Sequence, residues 1–295
     1  MGITRNDVTA AADASGLSGR PLEIHASLSS FGHVQGGADA VVDGLLAADC
    51  TLVIPAFSTR THLLPLAAVP AELRPLHNAD EYVEAYATPG AVDHVFDVTS
   101  KEVNRGDGVI GTAVTARAGR QRGNHPLNSF AAIGPLAEVI VQGQTRANVY
   151  APLRETAERH GVVVMMGTGL DKMTLIHAAE ELAGRAPFIQ WAQGPEGSPI
   201  PARVGSCSDG FEKLAPFLAP FERRSTVGDS LWRMFAARQT LQRAAEVIRA
   251  DPEITRCTKP ECACCRDAIA GGPILVGDQV GILADFSQVG PSGAL

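Results

Sequence analysis

In the stretch GVVVMMGTGLDKMTLIHAAEEL, residues 161–182, Thr174, His177 and Glu180 recur at intervals of three, and Asp171 stands three residues before the first of them. On a helix this spacing stacks the three side chains on one face. A histidine with an acidic neighbour to fix its tautomer suits a general base working near neutral pH. Asp171 is expected to cap the helix. A histidine in this setting also suits a purely structural hydrogen bond, and the residues alone leave both readings open. The stretch also holds Gly167 and Gly169, but a dinucleotide fingerprint needs a third glycine where Lys172 stands, and no G-x-x-x-x-G-K-[ST] occurs. The glycine pair therefore reads as a tight strand-to-helix turn rather than a phosphate cradle.

A second chemistry is offered by sulfur. Four of the six cysteines fall between 257 and 265. Cys262 and Cys265 form a C-x-x-C knuckle, and Cys257 and Cys207 would complete a four-thiolate structural zinc site if Cys207 folds back onto it. Reduced, unligated thiols are the alternative. Cys207 paired with His177 would be the nucleophile of a cysteine hydrolase or an acyl-enzyme transferase, although the surrounding GSCSD lacks the closing glycine of a nucleophile elbow.

The elements that must position these groups are short apolar strands at 22–28, 50–57, 129–134 and 161–167, alternating with helical patterns such as 38–46. That is the layering of an α/β fold, a mixed sheet flanked by helices in one compact domain. Residues 58–120 break the pattern with loops too long for an ordinary connection, and an excursion over an active site is expected there. Beyond Pro187, residues 188–193, 201–208 and 229–237 read as strands, and 211–221 and 240–250 as helices. The segments before Pro21 and after Gly271 read as surface tails.

A chain of 295 residues with 45% hydrophobic content can bury a sizeable core. It has no apolar run of eighteen residues and no leader-like start, so a soluble cytoplasmic protein is expected. Crowded cysteines suit such a reducing compartment. A net charge of −7 without a Lys/Arg cluster speaks against nucleic acid and anionic membranes, and is compatible with a small cationic partner.

Three segments, in this order, carry a family resemblance: EIHASLSSFGHVQGGADAVVDGLL (23–46), NHPLNSFAAIGPLAE (124–138) and APLRETAERHGVVVMMGTGLDKMTLIHAAE (151–180). Together they resemble the aminoglycoside 3-N-acetyltransferase family, with looser similarity through GSCSDGFEKL and around Val227. The resemblance implies an antibiotic-resistance acetyltransferase, a monomer or homodimer, on a fold unrelated to the common acetyltransferase superfamily. Residues 20–185 would form the coenzyme and catalytic core, and 186–295 the substrate-side and C-terminal elements. The reaction implied is direct transfer of acetyl from acetyl-coenzyme A to an amine of an aminoglycoside or similar aminosugar. A family member acylating a non-antibiotic amine is the other possibility.

Residue by residue, His177 falls at the family's histidine and would be the base; Thr174 would donate toward the thioester oxygen, and Glu180 would orient the base. Asp171 matches the family's aspartate on the acceptor side, whereas Met173 replaces the usual asparagine and Ile176 the usual leucine. The coenzyme would lie on Ser27, Leu28, Ser29, Ser30, Gly32, Val34, Gly36 and Gly37, a loop that can form a nest of backbone N–H groups. Arg117, Arg120 and Arg122 are candidates for its phosphates. For a polycationic acceptor the first candidates are Asp209 and Glu212, then Asp80, Glu81 and Glu84. His25 alternates with apolar Ile24 and is expected to be a buried hydrogen-bonder.

Overall fold

The computed structural model describes residues 2–80, 95–104, 106 and 108–284. In chain order its strands and its helices of five or more residues are α1 (Arg5–Ala14), β1 (Pro21–Ala26), α2 (Gly37–Ala47), β2 (Thr51–Pro55), α3 (Gly108–Thr115), β3 (Gln121–Arg122), β4 (Phe130–Ile133), α4 (Ala137–Val141), α5 (Ala151–Glu158), β5 (Val162–Met166), α6 (Leu175–Leu182), β6 (Phe188–Gln193), β7 (Pro199–Val204), β8 (Glu222–Val227), β9 (Ser230–Ala236), α7 (Ala237–Ala250) and α8 (Ala263–Ile269).

Seven strands form one mixed sheet in the order β3-β4-β2-β1-β5-β9-β8, and β6 and β7 form a separate antiparallel pair. At the centre β1 runs parallel to both β2 and β5, with Leu22 opposite Val162 and Ala26 opposite Met166. A strand covered on both faces reads as an unbroken apolar run, as β5 does, with every residue buried.

Alternation along the central strands separates two apolar layers. Leu22, Ile24, Leu52, Ile54, Val162 and Val164 pack with α1, α2 and α3. Val53, Val163 and Met165 pack on the opposite face with α4, α5, α6 and α7. The polar residues of β1, Glu23 and His25, belong by register to that second face. His25 is 7% exposed and lies 2.9 Å from Glu23 Oε1 through Nε2, the buried hydrogen-bonder expected.

Three sequence expectations are corrected. The segment before Pro21 is not a tail: Thr4 and Asp7 form a capping box at the start of α1, Val8 and Ala12 are fully buried, and a Cβ at Gly44 would come within 2.6 Å of Val8 Cβ, so the α1–α2 approach requires a glycine. Residues 272–284 are likewise tied down, with Ile274 bridging to Leu76 and Leu283 2% exposed. The helix expected at 211–221 is instead three short turns, because Pro216 and Pro220 each start a new turn rather than continue the last.

Candidate active site

A cavity of about 1000 Å³ opens at the carboxyl ends of the parallel strands, walled by Ile24–Ala26 of β1, Ile54 and Pro55 of β2, and Thr168 just beyond β5. In open α/β sheets this is the place where ligands bind. Asn104, Gly106 and residues 108–111 from the expected excursion also line it. So do Ser27, Leu28, Ser29, Gly32, Val34 and Gly37. Gly36 and Gly37 take positive φ at the start of α2, a conformation that favours glycine.

His177 lies on α6 with Thr174 at its N-cap, and both line the cavity. Glu180 stands behind the histidine. Its Oε2 accepts from His177 Nδ1 at 2.9 Å and from Ser206 Oγ at 2.9 Å, and its Oε1 accepts from Arg185 Nη1 at 2.6 Å. Burial alone pushes the Glu180 carboxyl up. The hydrogen bonds from His177 and Ser206 and the charges of His177 and Arg185 outweigh burial and hold it below its ordinary value. A carboxylate on Nδ1–H leaves the lone pair of Nε2 for the cavity and stabilises the imidazolium formed when that nitrogen takes a proton. Tyr150 stacks beside the imidazole with ring centroids 6.1 Å apart, and Phe211 meets its edge at 4.8 Å.

The expected site residues divide sharply. Asp171 lines the cavity but lies in a turn of residues 170–172 rather than capping α6, and it pairs with Lys172 at 2.9 Å. Ser30 turns inward, donating to Ser27 O and contacting Ser230 Oγ, each at 2.7 Å. A Cβ on Gly167 would sit 2.2 Å from Ser30, so this glycine is needed for close packing, not for a phosphate.

None of the three arginines reaches the cavity wall. Arg117 is held by Asp39 and Asp43 on α2, Arg120 donates to the carbonyls of Thr115, Val98, Thr99 and Ser100, and buried Arg122 donates to Ser129 Oγ and the carbonyls of Ala56 and Ser100. Asp209 lies outside near Lys259. Glu212 accepts from the Leu170 amide at 2.8 Å, bracing the 170–172 turn from behind. Asp80 is not part of the wall, and Glu81 and Glu84 fall outside the described residues.

Sequence reasoning missed Tyr150, Ser206, Arg185 and Gly205. The Tyr150 hydroxyl is buried without a hydrogen-bond partner among the described residues, and burial, with Glu180 and Glu181 close by, pushes it well above its ordinary value, so it stays a donor. A Cβ on Gly205 would lie 2.8 Å from Tyr150 Oη, 2.9 Å from His177 Cδ2 and 3.0 Å from His177 Nε2. We expect Gly205→Ala to displace the imidazole and cut turnover by roughly 10- to 100-fold, the scale for a misplacement near 1 Å. Melting and steady-state kinetics measured together check this; an active variant with a normal melting point would refute it.

Cys207 belongs to another cluster. It does not line the cavity, and its Sγ lies with those of Cys257, Cys262 and Cys265, all four within 4.8 Å of one another. All six cysteines are free thiols.

The family profile of aminoglycoside 3-N-acetyltransferase matches residues 24–249. An aminoglycoside N(3)-acetyltransferase VIII from Streptomyces fradiae is 28% identical over 202 residues, spanning 65% of this chain and 66% of the relative, just under two thirds of its length. The fold of the aminoglycoside acetyltransferase AAC(3)-IVa, solved in complex with a gentamicin, superposes with a TM-score of 0.70 at 21% identity, covering 92% of this chain and 98% of that one. AAC-IIIb, solved as a binary complex with CoASH, superposes at 0.66 with 23% identity, covering 85% and 97%.

Proposed function

The chain belongs to the aminoglycoside 3-N-acetyltransferase family, whose members are acetyltransferase enzymes, and from that premise we propose that it moves acetyl from acetyl-coenzyme A to an amine of an aminosugar, with His177 as the base. The observation that carries this reading is the Glu180–His177 pair, oriented from behind by Ser206 and Arg185 and opening on a cavity large enough for two substrates. Structural relatives solved with CoASH and with a gentamicin support both substrate classes.

Acetyl-coenzyme A supplies an acetyl thioester, a carbonyl carbon open to attack by a neutral amine. The residues suited to hold the coenzyme are the loop 27–37 and the first turn of α2, through backbone N–H groups and the hydroxyls of Ser27 and Ser29. No arginine is among the described cavity-lining residues, so the phosphates fall to those amides. His177 Nε2 accepts the proton of the attacking amine as the N–C bond forms, and returns it to the departing sulfur as the C–S bond breaks. The Thr174 hydroxyl, not used in capping α6, can donate toward the oxygen where negative charge develops.

A second reading follows from one observation: Asp171 is the only carboxylate among the described residues lining the cavity, and Lys172 already neutralises it. A polycationic aminoglycoside favours several carboxylates, so an amine of lower charge is also proposed as the acceptor. Both readings are tested by release of free coenzyme A from acetyl-coenzyme A against a panel running from four- and five-amine aminoglycosides to mono-amino sugars. Turnover of aminoglycosides supports the first reading, and turnover confined to low-charge amines supports the second. Failure of acetyl-coenzyme A at a hundredfold excess over its Kd to add about 2.7 kcal/mol of stability would refute both.

A further inference from the structure

Behind Glu180 lies a group of four sulfurs that acetyl transfer does not use. Cys207 follows β7, Cys257 follows the turn at 252–255, and Cys262 and Cys265 sit at the start of α8. Three of the four are buried, within a small apolar cluster that includes Leu127, Phe188 and Val204. We propose that Cys207, Cys257, Cys262 and Cys265 bind one zinc ion as a closed structural site, and that the ion fixes the segments which hold the base in place.

The geometry favours a metal over four idle thiols. A tetrahedral zinc with bonds of about 2.3 Å holds its sulfurs roughly 3.8 Å apart. The four Sγ atoms here are already within 4.8 Å of one another, converging from three separate segments. Backbone N–H groups point at the sulfurs as they do toward thiolates: that of Cys257 lies 3.3 Å from Cys265 Sγ, and those of Asp209 and Cys265 face Cys207 and Cys262. Four thiolates around a divalent ion leave two negative charges; the cations on the ligand segment, Arg256 and Lys259, are each paired with a carboxylate, Glu253 and Asp209. On binding, four S–H bonds give way to four Zn–S bonds and the protons leave to solvent; nothing is oxidised.

The link to the active site runs through adjacent residues. Ser206, which donates to Glu180, precedes Cys207, and Thr255, which accepts from Arg185 Nη1 at 2.7 Å, lies two residues before Cys257. Arg185 in turn donates to Glu180. Both supports of the Glu180 carboxylate are therefore anchored next to a ligand of the ion. Ser206 and Arg185 are positioning residues, acting through Glu180 on His177.

Elemental analysis of the protein as purified should give about one zinc per chain, and cobalt substituted for it should show thiolate-to-metal absorption with tetrahedral visible bands. Cys262→Ser should bring the metal content below about a tenth of an equivalent, whereas Cys264→Ala, whose thiol lies outside the set of four, should keep the full equivalent. In the intact chain, a strong chelator should lower the melting temperature and reduce kcat more than KM, and added zinc should restore both; this arm stands even if Cys262→Ser does not fold. Metal-free protein, cobalt without thiolate bands, disulfides among the four sulfurs, or equal metal content in the Cys262 and Cys264 variants would overturn the site. Zinc bound with kcat unchanged after its removal would overturn the link to the base. All of these readouts except kcat and KM are independent of which amine is acetylated.

Discussion

Replacing His177 by alanine should lower turnover by roughly 10²- to 10⁴-fold, the range for losing a positioned proton acceptor, while the stabilisation by acetyl-coenzyme A stays nearly intact. His177 lies on α6, whereas the loop assigned to the coenzyme lies between β1 and α2, so the two functions are separable. Cys207→Ala is the control for the rival acyl-enzyme chemistry, because a nucleophilic cysteine cannot be replaced by alanine. Even if Cys207 is a zinc ligand, a folded alanine variant that still releases coenzyme A removes the thiol as nucleophile. Near-normal turnover of His177→Ala would exclude the histidine.

The second large effect concerns stability in acid and arises at His125, which is fully buried. Its Nδ1 accepts from the amides of Leu127 at 3.2 Å and Asn128 at 2.8 Å, and Nε2–H donates to Arg203 O at 2.8 Å. The ring is therefore fixed as one neutral tautomer with no room for a second proton, and burial above all pushes it down to about 4. Unfolded histidine titrates near 6.5, so between these values the unfolded chain binds more protons than the folded one. Stability is full above about 6.5 and falls as the pH drops toward about 4, by about 3 kcal/mol over that window. Denaturant unfolding at pH 7 and pH 5 should show about 2 kcal/mol of this loss in the wild type and not in His125→Leu, which starts less stable. Equal slopes with pH in both proteins would remove His125 as the cause.

The contact of His177 with Glu180 was legible in the sequence because both lie on one helix, where a spacing of three dictates contact. The same holds for the loop before α2, whose glycines and hydroxyls are local features. What escaped was everything set by distant chain. Ser206 and Arg185 reach Glu180 only because β7 and the turn after α6 converge there, and no periodicity announces that. Arg117 and Arg122 looked available for phosphates, yet each is occupied by groups from elsewhere in the chain, Asp39 and Asp43 for one and the carbonyls of Ala56 and Ser100 for the other. Glu212 and Asp209 open a turn as site residues often do, but Glu212 is spent on the Leu170 amide and Asp209 lies near Lys259, so neither lines the cavity. The capping box of α1 was present in Thr4 and Asp7, and only the alanine-rich composition of that segment disguised it as a tail.

The strand order of the large sheet divides it into two blocks that are each continuous in sequence. β1 to β4 make one side and β5, β8 and β9 the other, and only the β1–β5 ladder joins them. The loop assigned to the coenzyme belongs to the first block and His177 to the second. On the ribosome, β1 can pair with β2 almost at once, but its other edge waits for a partner roughly 140 residues downstream, on the order of ten seconds of synthesis. Neither block holds both the proposed base and the proposed coenzyme loop, so the cavity they share cannot be complete before the nascent chain closes the β1–β5 ladder.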